Sequence, residues 1–260
     1  MNLIADEPIT ETVEKPRVQT AARTCSLLIA VANAGTKGIT AKRLSEVLGI
    51  PRQVVYHLIH TLLSIGMVRK ATAGSYVLGL AAAPIAHSFR QQLSSRDFLL
   101  DYAIEAARVT GETAYVGGWL DGEIVVFASR RGSAAITASV VPEGKIGDGH
   151  ARSTGKLLLA MSTQAEVDAY LQRHPIRSLT PNTINSRIEL DQELTTIREQ
   201  AVSFDREEYS VGLSCLAVPL GAVPTQFVLS ISAPTERILE RSEWYIATLR
   251  DIASRPTDAA

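Results

Sequence analysis

The chain has 260 residues, 46% hydrophobic and 20% charged, which is typical of a folded soluble protein with one or two domains. No apolar run approaches the roughly 18–20 residues that span a bilayer, and the acidic N-terminus lacks the pattern of a secretory signal. The two cysteines, Cys25 and Cys215, have no CxxC partners, which argues against a disulfide framework or cysteine-based zinc site and favours a cytoplasmic protein.

The formal net charge of −1 hides an asymmetry along the chain. Residues 1–16 carry one Lys against four acids, residues 17–94 carry nine Lys/Arg against Glu46 alone, and residues 95–260 carry 16 Lys/Arg against 22 acids. The middle segment, at +8, is therefore a candidate for nucleic-acid contact. We interpret residues 1–16, which are polar and rich in Glu, Thr and Pro, as a flexible leader.

The basic segment opens with two predicted helices. Residues 18–33 have helical spacing, and the side expected to be buried comprises Val18, Ala22, Cys25, Leu28, Ile29 and Ala32. In the second helix Thr40 is the expected cap and Gly49 suits the left-handed position after its end. The expected buried side of this second helix comprises Leu44, Val47 and Leu48.

A third helix begins at Pro51, whose missing N–H suits the first helical position. Its apolar positions repeat at i, i+3, i+4 and i+7 and are expected to face a core: Val55, Leu58, Ile59 and Leu62. The second and third helices form a helix-turn-helix pattern. Two short β runs at 67–70 and 76–79 predict a hairpin wing. Residues 17–78 are thus a predicted winged helix-turn-helix domain, with 79–94 as a linker helix.

The polar face of the third helix is the candidate DNA-reading surface. Arg52 could reach guanine and Gln53 adenine, and Tyr56 and His57 share that face. The residues that could neutralise phosphates are Lys42, Arg43, Arg69 and Lys70. The alternative is a helical bundle with a solvated face. A metal site at His57 and His60 lacks nearby Cys or carboxylate ligands, so no metal is expected.

Residues 95–256 predict a second domain of the α+β class. Strands are expected at 113–120, 124–130, 203–209, 213–219 and 227–232, with Asp121-Gly122 as a hairpin turn. Helices are expected at about 96–110, 152–161, 164–172, 189–201 and 234–253, and a loop at 141–149.

Residues 147–156 resemble a phosphate loop, but His150 and Leu157 stand where that motif needs Gly and Ser/Thr. A helix that starts near Arg152, with hydroxyls from Ser153 and Thr154, could still bind a carboxylate or other small anion. The alternative is an ordinary N-cap by Ser153 or Thr154.

The residue types of a thiol enzyme are also present in Cys215, His150 and Asp205. Cys215 lies in an apolar strand with nothing nearby in sequence to lower its pKa, so packing is the favoured role. An enzyme in which the N-terminal domain only mediates assembly remains the alternative function.

Several segments in order resemble IclR-type transcriptional regulators over about residues 17–255. They are the helix-turn-helix at 38–59, HA-x-x-x-GK-x-LLA at 150–160, TPxTI at 180–184, D-x-EE at 205–208, and then Gly212, Cys215 and Pro219. The resemblance implies dimers or tetramers on operator DNA, no cofactor, and a GAF-like or profilin-like C-terminal domain with a curved antiparallel sheet. That domain binds a small organic effector, often a carboxylic or aromatic acid from catabolism.

The family's effector positions correspond here to Ser153, Thr154, Asp205, Cys215, Ser230 and Ser232. Two residues depart from the family pattern. Arg152 is bulky and charged where small residues are usual, so it either selects a second acidic group or points to solvent. Ala201 stands where Gly is common, so the turn before the D-x-EE strand is expected to differ.

Overall fold

The structure is a computed structural model that describes residues 16–93, 98–138, 144, 147–221 and 223–255. The chain divides into two compact units, and the division falls between Gln92 and Leu93. The expected flexible leader, apart from Pro16, and most of the expected loop at 141–149 lie outside the described residues. The exact limits of the linker at 79–94 stay a prediction.

The first unit contains the predicted winged helix-turn-helix. Its helices are α1 (Gln19–Asn33), α2 (Ala41–Leu48), α3 (Arg52–Ser64) and α4 (Ala83–Leu93). Its strands are β1 (Ile39–Thr40), β2 (Val68–Lys70) and β3 (Ser75–Leu78), paired antiparallel in the order β1-β3-β2. The wing is therefore confirmed. Strand β1 extends its sheet, but with only two residues β1 is too short to show a periodic pattern in the sequence.

Local signals place α2 and α3 as predicted. The Thr40 hydroxyl accepts a hydrogen bond from the Arg43 N–H at 3.3 Å, and Gly49 ends α2 with φ +63°. The expected core side of α3 is buried. Pro51 differs slightly from its predicted place: its extended ψ of 141° puts it before the first helical residue, Arg52.

The predicted buried side of α1 is mostly wrong, since of its six residues only Ala22 and Leu28 are partly buried. Leu27 and Val31 are buried, whereas Cys25 and Ala32 are exposed and Val18 and Ile29 are more than half exposed. The helix carries apolar residues on overlapping stripes, and the stripe whose large side chains meet α2, α3 and β3 is the one that packs. Val47 of α2, also expected inside, is likewise exposed.

The second unit is a five-stranded antiparallel sheet with helices, which confirms the α+β class. Its strands are β4 (Thr113–Leu120), β5 (Glu123–Arg130), β6 (Ser203–Arg206), β7 (Leu213–Pro219) and β8 (Phe227–Pro234), in the order β5-β4-β8-β7-β6. Its helices are α5 (Phe98–Thr110), α6 (Ser153–Ala160), α7 (Gln164–Arg173), α8 (Arg187–Gln200) and α9 (Thr235–Ser254). No helix in the described ranges is long and apolar enough to cross a membrane.

Turns explain where the strands end. Asp121 and Gly122 both have positive φ, as the two-residue hairpin between β4 and β5 requires. Strand β6 stops at Arg206, three residues before its predicted end, because Glu207 adopts a left-handed φ of +61°. Ala201 also adopts a left-handed φ, +50°, at the end of α8. Ala201 therefore adopts the left-handed conformation that glycine favours, although alanine carries a Cβ atom.

Strand alternation divides the second unit into two cores. Leu216, Leu229 and Ile231 face α5 and α9, whereas Ala217 and Val228 face α6, α7 and α8. Polar residues of β4, β6, β7 and β8 interrupt the second face, and the candidate small-molecule site lies there.

Candidate functional site

The predicted DNA-reading residues lie on the exposed side of α3. Arg52, Gln53, Tyr56 and His57 are all exposed, while the opposite side of α3 is buried against α1 and α2. This is the geometry that a recognition helix needs to enter a major groove. That these four residues contact DNA is a prediction.

The candidate phosphate-binding residues are exposed on α2 and on the wing strand β2. Arg43 Nη1 pairs with Glu46 Oε2 at 3.1 Å, but both side chains are well exposed, so water screens the pair. Lys42, Arg69 and Lys70 form no ion pair within the described part of the chain. Their charges are available to an external anion.

The candidate effector residues of the sheet meet through strand register. Asp205 is opposite Cys215, Cys215 is opposite Ser232, and Ser232 is opposite Thr113. One polar row therefore crosses β6, β7, β8 and β4 on a single face. Within the row the Cys215 thiol donates to Ser232 Oγ at 3.3 Å.

A second row lies two residues away from the first on each strand, and it contacts helix α6. Ser230 is opposite Tyr115, and its Oγ donates to the Tyr115 carbonyl oxygen at 3.2 Å. Thr154 Oγ1 lies 2.9 Å from Ser230 Oγ. Gly117 allows this approach, because a Cβ there would stand 2.3 Å from the Thr154 methyl group. The start of α6 is thereby held against the sheet.

The start of α6 has no side-chain cap, so the alternative of an ordinary N-cap by Ser153 or Thr154 is wrong. The helix begins at Ser153, and the first intrahelical bond runs from Lys156 N to Arg152 O at 2.9 Å. The N–H groups of the first turn therefore lack intrahelical acceptors. Ser153 is 1% exposed, and its Oγ has no partner within the described residues.

Arg152 stacks its guanidinium 3.8 Å from the centre of the Tyr209 ring. It is only partly exposed, and its Nε atom is buried without a hydrogen-bond partner in the described ranges. Its positive charge lowers the pKa of both Tyr115 and Cys215, although burial outweighs that effect. The side chain is thus part of the site and does not simply point to solvent.

Asp205 is a buried carboxyl, 2% exposed. Its Oδ1 accepts the Glu208 N–H at 2.7 Å and the Tyr209 N–H at 3.2 Å. Burial, followed by the negative charge of Glu208, raises the pKa of Asp205 to about 6, and these two hydrogen bonds only partly oppose the rise. A carboxyl held under such conditions is typical of a functional site.

The thiol of Cys215 is unsuited to nucleophilic catalysis. Burial, together with the negative charge of Asp205, raises the pKa of Cys215 to about 12, so the thiol stays protonated at neutral pH. His150 Nε2 lies 2.9 Å from the Arg177 carbonyl oxygen, and no hydrogen bond joins His150 to Cys215 in the described structure. The residues proposed for a thiol enzyme therefore do not form its catalytic array.

The lysine of the phosphate-loop-like segment has an internal role. Lys156 Nζ is fully buried and contacts Glu208 at 2.6 and 2.8 Å and Glu193 at 3.2 Å. This confirms that residues 147–156 are not a phosphate loop. The ion pairs attach the segment after β6 to α6, and so hold Asp205 near the helix start.

Three residues at the site were missed from sequence: Thr113, Tyr115 and Tyr209. The alternation of β4 marks Thr113 and Tyr115 as one face, but only the pairing with β8 shows that this face is the polar one. Tyr209 is identified only by its stacking on Arg152.

Comparisons with known proteins agree across both units. Residues 20–71 match the IclR helix-turn-helix domain, and residues 100–257 match the bacterial transcriptional regulator IclR C-terminal domain. The chain is 30% identical over 227 residues to the Escherichia coli DNA-binding transcriptional repressor YiaJ, covering 84% of this chain and 79% of the repressor.

Solved structures show the same fold at lower identity. An IclR transcriptional regulator from Alicyclobacillus acidocaldarius is 21% identical with a TM-score of 0.69, covering 92% of this chain and 97% of its own. An IclR homologue from Microbacterium hydrocarbonoxydans, complexed with 4-hydroxybenzoate, is 17% identical with a TM-score of 0.65 and covers 90% and 95%.

Proposed function

Because the chain belongs to the IclR family of bacterial transcriptional regulators, we propose that a small organic acid controls its binding to operator DNA. The acid would bind where α6 meets the sheet, and the regulated genes would serve catabolism of that acid or of its precursor. The protein would act as a homodimer or homotetramer, because paired recognition helices read two half-sites about one DNA turn apart.

The observation that carries the proposal is the buried polar start of α6. Ser153 Oγ and Arg152 Nε have no partners in the described residues, and the free N–H groups of the helix start lie beside them. Buried polar groups are normally satisfied by a hydrogen-bond partner, and an anion suits donors of this kind at a helix start. The complex of the Microbacterium homologue with 4-hydroxybenzoate supports an acid as the class to test first.

For DNA, we assign base contacts to Arg52 and Gln53, with Tyr56 and His57 beside them on α3. Phosphate contacts belong to the exposed cations of α2 and β2, namely Lys42, Arg43, Arg69 and Lys70. Effector binding would reach α3 through the 79–94 segment and change the spacing of the two recognition helices. Whether the outcome is repression or activation depends on where the operator lies.

The DNA assignment is tested by titrating labelled fragments of the intergenic DNA beside the protein's own gene. Arg52→Ala should weaken specific binding by about 1–3 kcal/mol, roughly 5–150-fold, if Arg52 reads a base. Arg130→Ala removes the same charge from an exposed position outside the helix-turn-helix and should leave binding unchanged. Equal affinity of Arg52→Ala and the unmodified protein would remove Arg52 from base reading.

The effector assignment is tested by a thermal-shift screen of small acids, followed by DNA titration with each acid that stabilises the protein. We expect at least one stabilising acid to change operator affinity. If every bound acid leaves operator affinity unchanged, the coupling between the site and DNA binding is wrong.

A further inference from the structure

The site has a positive charge at one end and a negative charge at the other. This arrangement restricts the effector to a narrower chemical class than small organic acids in general. Arg152 lowers the pKa of Cys215 and Tyr115, whereas Asp205 raises the pKa of both. No ion pair joins Arg152 to Asp205 in the described structure. The two opposite charges therefore act on the same two side chains, the buried Tyr115 and the half-buried Cys215, without neutralising each other.

Each charged group also has unused hydrogen-bonding capacity. At one end, Arg152 Nε and the 1%-exposed Ser153 Oγ lack partners in the part of the chain that the structure describes. The neighbouring acid Asp148 does not supply one, since Arg177 binds both of its oxygens at 2.8 and 2.9 Å. This end requires an anionic acceptor.

At the other end, the Asp205 carboxylate uses only one of its oxygens. Oδ1 accepts two backbone N–H groups, whereas Oδ2 accepts no hydrogen bond from any described residue. A ligand hydroxyl can donate to Oδ2, a second carboxylate is repelled, and an apolar group that covers this oxygen leaves it unsatisfied. Cys215 and Ser232 already bond to each other and offer no compensating positive charge.

Resting on the proposed function, we propose that the effector is a hydroxy monocarboxylic acid whose carboxylate binds Arg152 and Ser153 and whose hydroxyl donates to Asp205. Of the two expectations for Arg152, selection of a second acidic group is thereby set aside. Arg152 binds the single carboxylate, and Asp205 rejects a second one. A site built to bond a hydroxyl discriminates strongly against analogues that lack it.

The test uses two matched pairs of probes in which a carboxylate replaces the hydroxyl. The pairs are 4-hydroxybutanoate against glutarate, and 4-hydroxybenzoate against terephthalate, titrated calorimetrically near pH 8, where Asp205 is ionised. Using an aliphatic and an aromatic pair removes dependence on the shape of the carbon skeleton. In at least one pair the hydroxy acid should bind tenfold or more tightly than its dicarboxylate, about the effect of one unfavourable charge contact.

Two variants identify which end of the ligand binds where. Arg152→Gln should weaken the binding hydroxy acid by about tenfold or more, because the carboxylate loses its cation. Asp205→Asn should bring the pair to within about threefold, chiefly through tighter binding of the dicarboxylate, because the repulsion is gone. Arg130→Gln and Asp101→Asn make the same changes at exposed positions and should alter neither value.

The proposal is overturned if in neither pair the hydroxy acid binds tenfold more tightly than its dicarboxylate, if either site variant behaves like its control, or if none of the four probes binds at about 10 mM. Thermal unfolding of each variant separates a lost site from a lost fold. These outcomes are distinct from failure of the proposed function, which is shown by an acid that binds without changing operator affinity.

Discussion

Replacing Asp205 by asparagine should stabilise the second unit at neutral pH. The carboxyl is 2% exposed, and burial with the charge of Glu208 raises its pKa from an ordinary value of 3.8 to about 6. An amide oxygen can still accept the Glu208 and Tyr209 N–H groups that Oδ1 accepts now. The substitution thus removes a buried charge and keeps its hydrogen bonds.

The sign and size follow from proton linkage. Because the folded-state pKa is raised, the stability that this group contributes is fully present below pH 3.8 and is lost as the pH rises through about 6. The rise in the pKa of Asp205 from 3.8 to about 6 corresponds to a loss of folding free energy of roughly 3 kcal/mol at most. About two-thirds of this loss develops between pH 4.5 and pH 8. The advantage of Asp205→Asn over the unmodified protein should therefore grow by about 2 kcal/mol across that interval.

Urea unfolding of the full chain measures this difference. Both tryptophans, Trp119 and Trp244, lie in the second unit, so their fluorescence reports that unit alone. Asp148→Asn is a control of opposite sign. Burial raises the pKa of Asp148, but the hydrogen bonds and charge of Arg177 outweigh burial and lower it overall. The stability contributed by Asp148 is therefore lost as the pH falls.

A gain for Asp205→Asn that is the same at both pH values would refute the reasoning, because a buried charge must act through its titration. A loss of stability that deepens toward high pH would do so more strongly. The expected result would mean that the protein retains a destabilising carboxyl at its site, which is the usual cost of a functional group.

Three further predictions concern the same unit. Ala201→Gly should stabilise it by about 0.5–1 kcal/mol in the urea assay, because Ala201 has a φ of +50°, and no gain would mean that the turn is unstrained. Lys156→Met should cost about 3–5 kcal/mol, since it leaves the carboxylate of Glu208 buried and unpaired, and a cost below about 1 kcal/mol would contradict that account. Iodoacetamide should modify the exposed Cys25 in the native protein and leave Cys215, with its pKa raised by burial to about 12, until urea unfolds the chain; mass spectrometry that finds native Cys215 alkylated as fast as Cys25 would overturn the assignment.

Features set by neighbouring residues could be predicted from the sequence. The Thr40 cap, the Gly49 helix end and the Asp121-Gly122 turn each depend on a few adjacent positions, and each is found as predicted. The core side of α3 also follows from one clear apolar stripe. The helix-turn-helix and the positions of the strands along the second unit were therefore accessible without coordinates.

Features that depend on residues distant in the sequence could not be predicted in this way. The buried side of α1 was wrong because its apolar residues form overlapping stripes and only contact with other elements selects one. Thr113 and Tyr115 join the site through pairing of β4 with β8, and Tyr209 joins it through stacking on Arg152. The N-cap by Ser153 or Thr154, an alternative that the sequence left open, is also absent, because α6 begins at Ser153 and its start has no side-chain cap.

The polar row that crosses the sheet draws its members from residue 113 to residue 232 of the chain. No two neighbouring members belong to a single local element, so the row exists only after β4, β6, β7 and β8 have all paired. A molecule that binds this row therefore binds only the folded unit and not a partly folded chain. By mass action such a molecule stabilises the whole unit against unfolding. In a cell that degrades unfolded chains, a higher concentration of the acid would then lengthen the lifetime of the protein. The acid would in this way affect the abundance of the protein as well as its DNA binding.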